Sequence, residues 1–391
     1  MPALCFYFQV HQPYRLRRYS YFDIGVSDSY FDDALNALMM KRVAERCYLP
    51  ANRTLLKLIK EHGVKFKVSF SITGVTIEQM KLHAPEALAS FKELAATGCV
   101  EFLGETYYHS LAALYSPEEF RAQVLEHSAL IEQEFGTRPK VFRNTELIYS
   151  DAIGAAVSEL GFQGVLAEGV DEILGWRSCN SLFRVQGRST ALLLKNYPLS
   201  DEIAFRFSCS SVDGTTLTAQ NFAQRIHKLP DDTEMVGLFL DYETFGEHHH
   251  VESGIFSFLE ELPEAVLAEP GWSFATLSEV AARSEIGTEL SFPRTTSWAD
   301  TARDTSAWCG NQMQSSALEK IYASSLASDR EAWRKLQTSD HLYYMCTKGG
   351  PDGQVHSYFS PFESPYEAFI AYMNVLRDLV ARSKPVLSKL A

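Results

Sequence analysis

The chain has no CxxC pair, no basic surplus, no apolar run long enough to cross a bilayer and no internal repeat or low-complexity tract. Each absence removes a class of protein. Its seven cysteines (Cys5, Cys47, Cys99, Cys179, Cys209, Cys309 and Cys346) are odd in number and scattered. That pattern supports neither a structural zinc site nor a disulfide framework, and it fits a reduced, cytoplasmic setting. Lys and Arg total 36 against 49 Asp and Glu, a formal net charge of −13. Nucleic-acid binders show the opposite balance, and anionic membranes or polyanionic substrates would be repelled. A neutral ligand is compatible. The one basic cluster, Arg15 to Arg18, is short and lies between Tyr14 and Tyr19, as expected of a solvated loop. The opening MPALCFYFQVHQP carries no basic leader ahead of its apolar run, so neither a secretory nor a membrane segment is expected.

What is present is ordinary globular material on a large scale. The chain has 391 residues, 46% hydrophobic and 22% charged, enough for a full barrel and an accessory region. Short apolar runs recur, each ending in polar residues: Leu4 to Val10, Val64 to Ile72, Cys99 to Leu103, Lys140 to Asn144, Gly164 to Ala167, a less sharply defined run between Ala191 and Phe207, and Met235 to Leu240. Helical signals separate most of them. Ser116-Pro117-Glu118-Glu119 supplies a cap, a first-turn proline and a capping-box Glu, so a helix is expected to Phe135 with Gly136 stopping it. Ser150 to Leu160 and Pro85 to Ala96 carry similar signals, with Gly161 and Gly98 after them.

Strands alternating with helices predict a parallel sheet with crossover helices. About seven such units suggest a barrel, complete or incomplete, rather than an open sheet. After about residue 285 the pattern becomes helical, over Trp298 to Thr347 and Tyr366 to Leu387, with a Gly/Pro-rich loop at Gly349 to Gly353 between. The expected organisation is a barrel over residues 1–285 and a helical region over 286–391 that packs against it.

In such barrels the chemistry sits at the carboxyl ends of the strands. His11, Glu101, Glu105, Glu146, Glu168, Asp241 and Glu243 cluster there. Two carboxylates on two strand ends could perform glycoside hydrolysis, one protonating the leaving oxygen and one attacking; retention requires roughly 5–5.5 Å between them. Taken alone, Glu146 reads more readily as an ion-pair partner of Arg143 or of a neighbouring helix than as a catalytic group. His11 and the run His248-His249-His250 allow two readings, satisfied structural histidines or a metal site shared with carboxylates. Most of the aromatic residues must be core, but Tyr107, Tyr108, Tyr149, Tyr242, Trp298 and Trp308 lie beside polar strand ends or in the polar part of the helical region, where rings could stack on sugars.

Five segments, taken in order, resemble the motifs of the family-57 glycoside hydrolases. They are His11-Gln12-Pro13, then Gly98 to Glu105, then Phe142-Arg143-Asn144-Thr145-Glu146, then Leu240 to Gly246, and finally Ser297-Trp298-Ala299-Asp300 through Trp308, Asn311 and Gln314. The resemblance implies an α/β fold with an incomplete (β/α)7 barrel followed by a helical region. It implies retaining chemistry on α-glucans or maltooligosaccharides, with Glu146 as nucleophile, Asp241 as general acid/base, and neither a metal nor an organic cofactor. His11, Glu101, Glu105, His109, Glu243, Trp298, Asp300 and Trp308 are the expected substrate contacts. Ser339 to Met345 resembles the α-amylase-like branch. Two departures bear on the substrate: His109 stands where many relatives carry Glu, and Arg143-Asn144 replaces the usual Trp before the nucleophile. Three rivals stay open: a 4-α-glucanotransferase on the same site, a metal-dependent hydrolase using His11 with the His248 cluster, and a non-catalytic glucan-binding relative. Nothing in the sequence marks an oligomer surface.

Overall fold

The structure is a computed structural model that describes residues 2–208, 217–283, 286–324 and 329–383. Seven parallel strands surround one lumen: β1 (Ala3–Val10), β2 (Val68–Ile72), β3 (Val100–Phe102), β4 (Val141–Phe142), β5 (Gly164–Glu168), β6 (Ala191–Lys195) and β7 (Met235–Asp241). They form two arcs, β3-β2-β1-β7 and β4-β5-β6. A parallel bridge between Gly104 and Phe142 joins β3 to β4. On the other side β6 meets β7 through one backbone hydrogen bond, Asn196 N to Gly237 O at 2.8 Å. The expected incomplete (β/α)7 barrel is therefore present, weakest at these two seams.

Alternation along the strands sorts the side chains. Leu4, Phe6, Phe8 and Val10 of β1 pack outward against helices such as Leu49–His62 and Ile255–Leu267. Ala3, Cys5 and Tyr7 face the lumen with Leu103, Val141, Leu166, Leu193 and Phe239. This lumen layer is apolar and packed, as barrel interiors are. The helix Leu277–Ala281 plugs its amino-terminal end. It follows the short strand Ser273–Phe274, which pairs with Ala3 and Leu4, and Glu279 bonds Lys67 just ahead of β2.

The three expected helices occur at Pro117–Phe135, Asp151–Glu159 and Pro85–Ala96. Ser116 accepts from Glu119 N, and Gly136 ends its helix at φ 78°, a left-handed cap that glycine takes without steric cost. The loop expected at Gly349 to Gly353 is instead the first turn of a helix, Gly350–Phe359. A proline in a first turn gives up an N–H that has no helical partner anyway, so the local sequence is compatible with a helix start. Arg15 also departs from expectation: it is buried, donating to Gln12 Oε1 at 2.9 Å.

Helices of the expected second region occur at Gln312–Ala323, Arg330–Lys335, Ser339–Tyr343 and Pro365–Ser383; residues 384–391 lie outside the described residues. The stretch from 288 to 298 is not yet helical. Thr288–Leu290 pairs with Phe183–Val185, and Thr296 bridges Tyr149. A shared apolar cluster ties the two regions together, with Leu16, Phe142, Val165 and Leu192 from the barrel side and Trp308, Leu318, Leu342 and Tyr372 from the other. No helix among the described residues is long and apolar enough to cross a membrane.

Candidate active site

Two residues beyond the apolar lumen layer, each strand or its extension places a polar side chain: Gln9, Ser71, Glu105, Arg143, Glu168, Lys195 and Asp241. All but Asp241 are buried. They form a polar floor at the carboxyl ends, and Glu146 lies just past β4 beside it.

Glu146 and Leu147 both take left-handed backbone, at φ 58° and 49°. Such conformations cost non-glycine residues about 1–2 kcal/mol each and persist where the surroundings over-determine them. Here three groups hold the carboxylate. Trp298 Nε1 donates to Oε2 at 2.8 Å, Ser339 Oγ donates to Oε1 at 2.9 Å, and His109 Nε2 lies 3.4 Å from Oε1. Burial pushes the Glu146 pKa up, but the His109 contact and charge, the Arg143 charge and the Trp298 donor outweigh it and bring it down to about 2. The group is a carboxylate at any physiological pH.

Asp241 is the opposite case. Its carboxyl makes no hydrogen bond to any described residue, and burial followed by the charge of Glu146 raises its pKa to about 6. The charged neighbour that raises it most is Glu146. Glu243 is buried, accepts from Tyr48 Oη at 2.6 Å and Gln12 Nε2 at 3.3 Å, and is pushed up to about 8, chiefly by burial. Paired carboxyl groups with pKa values driven apart are the arrangement that separates acid from nucleophile.

A histidine pair completes the cluster. The rings of His11 and His109 stack with centroids 4.0 Å apart. His109 also lies 3.4 Å from Glu105 Oε2; burial disfavours its cation, but Glu105 and Glu146 raise its pKa to about 9. His11 is lowered by burial and by His109; its nitrogens meet Thr73 Oγ1 and Asp340 Oδ2, both at 2.9 Å. The alternative partners at His248 to His250 sit differently. His249 bonds Ser208 Oγ and the Ala204 carbonyl. Among the described residues no group of three or more His, Cys, Asp or Glu is arranged to hold a metal ion.

The structure brings Glu146, Asp241, His11, His109, Glu243 and Trp298 into one neighbourhood. Glu105 lies directly behind, wholly buried and turned to His109 and Gln9. Three expected sugar contacts fall elsewhere. Glu101 accepts from Ser69 Oγ and Ser278 N, both at 3.1 Å, and so caps the helix that plugs the amino-terminal end of the barrel. Asp300 is taken up by Lys348 and His356. Trp308 is 1% exposed, within the core of the helical region. Glu101 is thus engaged by the cap, Asp300 by its two cations, and Trp308 by core packing. The Arg143–Glu146 ion pair also does not form as a contact: all three Arg143 nitrogens lack a hydrogen-bond partner among the described residues.

Sequence reasoning missed Ser339 and Asp340 as site residues. Both lie in the segment Ser339 to Met345, whose family likeness was the available signal. A surface groove of about 660 Å³, lined by Ser158, Phe162, Arg188 and Ala281 among others, opens near the amino-terminal ends of β5 and β6, away from this chemistry.

With this geometry in place, the comparisons are consistent. The sequence model described as Glycosyl hydrolase family 57 matches residues 5–293. A protein of Methanocaldococcus jannaschii named "Putative alpha-amylase" is 40% identical, covering 99% of this chain and 86% of its own. In fold, the chain is similar to a family-57 branching enzyme from Thermococcus kodakaraensis (TM-score 0.69, 16% identity, 96% of this chain and 90% of that one). It is also similar to the α-amylase AmyC from Thermotoga maritima (TM-score 0.61, 13% identity, 98% and 94%). The chain is thus a glycosidase by family, and it belongs to glycosyl hydrolase family 57.

Proposed function

We propose that the protein is a retaining glycoside hydrolase that cleaves α-1,4 linkages of starch, glycogen or maltooligosaccharides. The observation that carries this reading is the asymmetry of two neighbouring carboxyl groups. Glu146 is fixed by three partners and held as the anion, at about 2, whereas the Asp241 carboxyl has no hydrogen-bonded partner among the described residues and is raised to about 6. The first is suited to attack and the second to carry a proton. The 40% identity to a protein named "Putative alpha-amylase" supports hydrolysis over transfer.

In the first step Glu146 attacks the anomeric carbon while protonated Asp241 gives its proton to the departing glycosidic oxygen. The C–O bond to the leaving sugar breaks as the bond to Glu146 forms. Asp241 then takes a proton from water, whose oxygen displaces Glu146 from the same carbon. Two inversions leave the α configuration intact.

The test is incubation with maltoheptaose, glycogen and soluble starch, with products resolved by chain length and the first-formed anomer read by NMR. Shorter α-anomeric maltooligosaccharides that vanish in Glu146→Gln, with the variant still folded, are expected. A ladder extending above the input chain length would make the enzyme a transferase, and β-anomeric product would overturn retention.

A further inference from the structure

Trp298 holds Glu146 at both ends. Its backbone N–H donates to the Glu146 carbonyl at 3.2 Å, and its Nε1–H donates to the Glu146 carboxylate at 2.8 Å. Two residues before it, Thr296 exchanges both backbone hydrogen bonds with Tyr149, at 2.9 and 3.0 Å. The left-handed turn at 146–147 is therefore laced to a segment from 150 residues further along the chain.

Something must in turn hold the indole. Arg143 places its guanidinium carbon 4.8 Å from the ring centroid, and Lys195 its ammonium 5.4 Å away. Arg143 is wholly buried, and none of its three nitrogens has a hydrogen-bond acceptor among the described residues. A desolvated guanidinium without an acceptor is costly. The π-face of Trp298, with the nearby carboxylates, is the compensation this site offers. Lys195 is fixed by Glu168 at 3.5 Å and Asp201 at 3.2 Å. Arg303 shares both carboxylates and donates to the Trp298 carbonyl at 2.9 Å. Backbone N–H, carbonyl and ring are all gripped. A cation beside the ring also draws electron density from it, which strengthens the Nε1–H as a donor.

We propose that Trp298 is a positioning residue for the Glu146 carboxylate, not a sugar platform, and that Arg143 and Lys195 form the cation clamp that holds its indole. Neither Arg143 nor Lys195 touches the reacting atoms in this role; beyond their direct charge effect on the Glu146 and Asp241 carboxyls, both act through Trp298. The kinetic consequence rests on the reading of Glu146 as nucleophile, while the geometric one does not.

The experiment uses the full chain labelled with ¹⁵N-tryptophan, whose five tryptophans give five indole signals. Trp298→Phe removes one signal and identifies it. Glu146→Gln is expected to move that signal and leave the other four in place. Arg143→Met and Lys195→Met are expected to move it too, and Arg143→Lys to move it less than Arg143→Met. In turnover, Trp298→Phe should lower kcat about tenfold or more, the effect of losing one hydrogen bond to a charged group, with KM within about twofold. A Trp298 signal insensitive to Glu146→Gln would overturn the proposal, as would a Trp298→Phe variant with raised KM and intact kcat. If Arg143→Met does not fold, the Arg143→Lys and Trp298→Phe spectra decide the matter. An unmodified enzyme inert on every α-glucan would sink the functional reading, and the indole shifts would still decide the clamp.

Discussion

At the residue scale, the site depends on unlike treatment of like groups. In the proposed mechanism Asp241 must carry a proton to act, and its pKa is raised to about 6. We expect kcat/KM to fall about tenfold per pH unit as pH rises beyond about 6, where the proton is lost. Asp241→Asn should remove that limb and lower turnover of natural glucans by about 10²–10⁴-fold, with a smaller loss on an aryl glycoside whose leaving group needs no proton. His109 behaves in the opposite sense for stability. Its folded pKa, about 9, lies above the ordinary value of 6.5. Its protonation therefore stabilises the fold fully below pH 6.5, and this contribution is lost as pH rises through about 9. Thermal melts of the wild type should show a decline across that window, and His109→Gln should flatten it. Glu146, Asp241 and His11 stood out in the sequence as candidates because each follows an apolar run that ends at the barrel mouth and lies in a segment resembling a family motif. Glu101 was misread because it sits within such a run; its side chain faces the other end of the lumen, where Ser278 N–H waits for an acceptor.

Among the elements, the barrel strands and three of its helices could be read directly from period and caps. A strand buried on both faces shows as a continuous apolar run, and Ser116 with Gly136 brackets a 19-residue helix. The seams could not be read that way. Strands β6 and β7 approach so closely that a Cβ on Gly237 would run into the Leu194 carbonyl oxygen. Gly237→Ala should force this seam open and lower stability by about 1–3 kcal/mol, measurable as a fall in denaturant midpoint without loss of secondary structure. The helix at Gly350–Phe359 was also illegible. Glycine and proline mark a turn in isolation, and whether a helix begins there is decided by what it packs against. Here Asp300 bonds His356 from that helix and Lys348 just before it.

Across the whole molecule, the region after residue 285 contributes side chains to the candidate site. Trp298 and Ser339 bond the Glu146 carboxylate, and Asp340 bonds His11. A chain cut after residue 285 should be inactive, and size-exclusion chromatography should show it aggregated, because its half of the shared apolar cluster would face water. Ser339→Ala is the milder test: it should fold and melt nearly normally but turn over about tenfold more slowly, having lost one donor to a charged group. The amino-acid sequence by itself determined the strands, the capped helices and the family, and singled out the two candidate carboxylates, since these follow from local periodicity and from short motifs. Which of the candidate side chains meet was decided by tertiary structure. Residues 146, 298 and 339 converge because barrel closure and the apolar seam between the two regions bring distant segments together, and no local pattern encodes a distance across a fold.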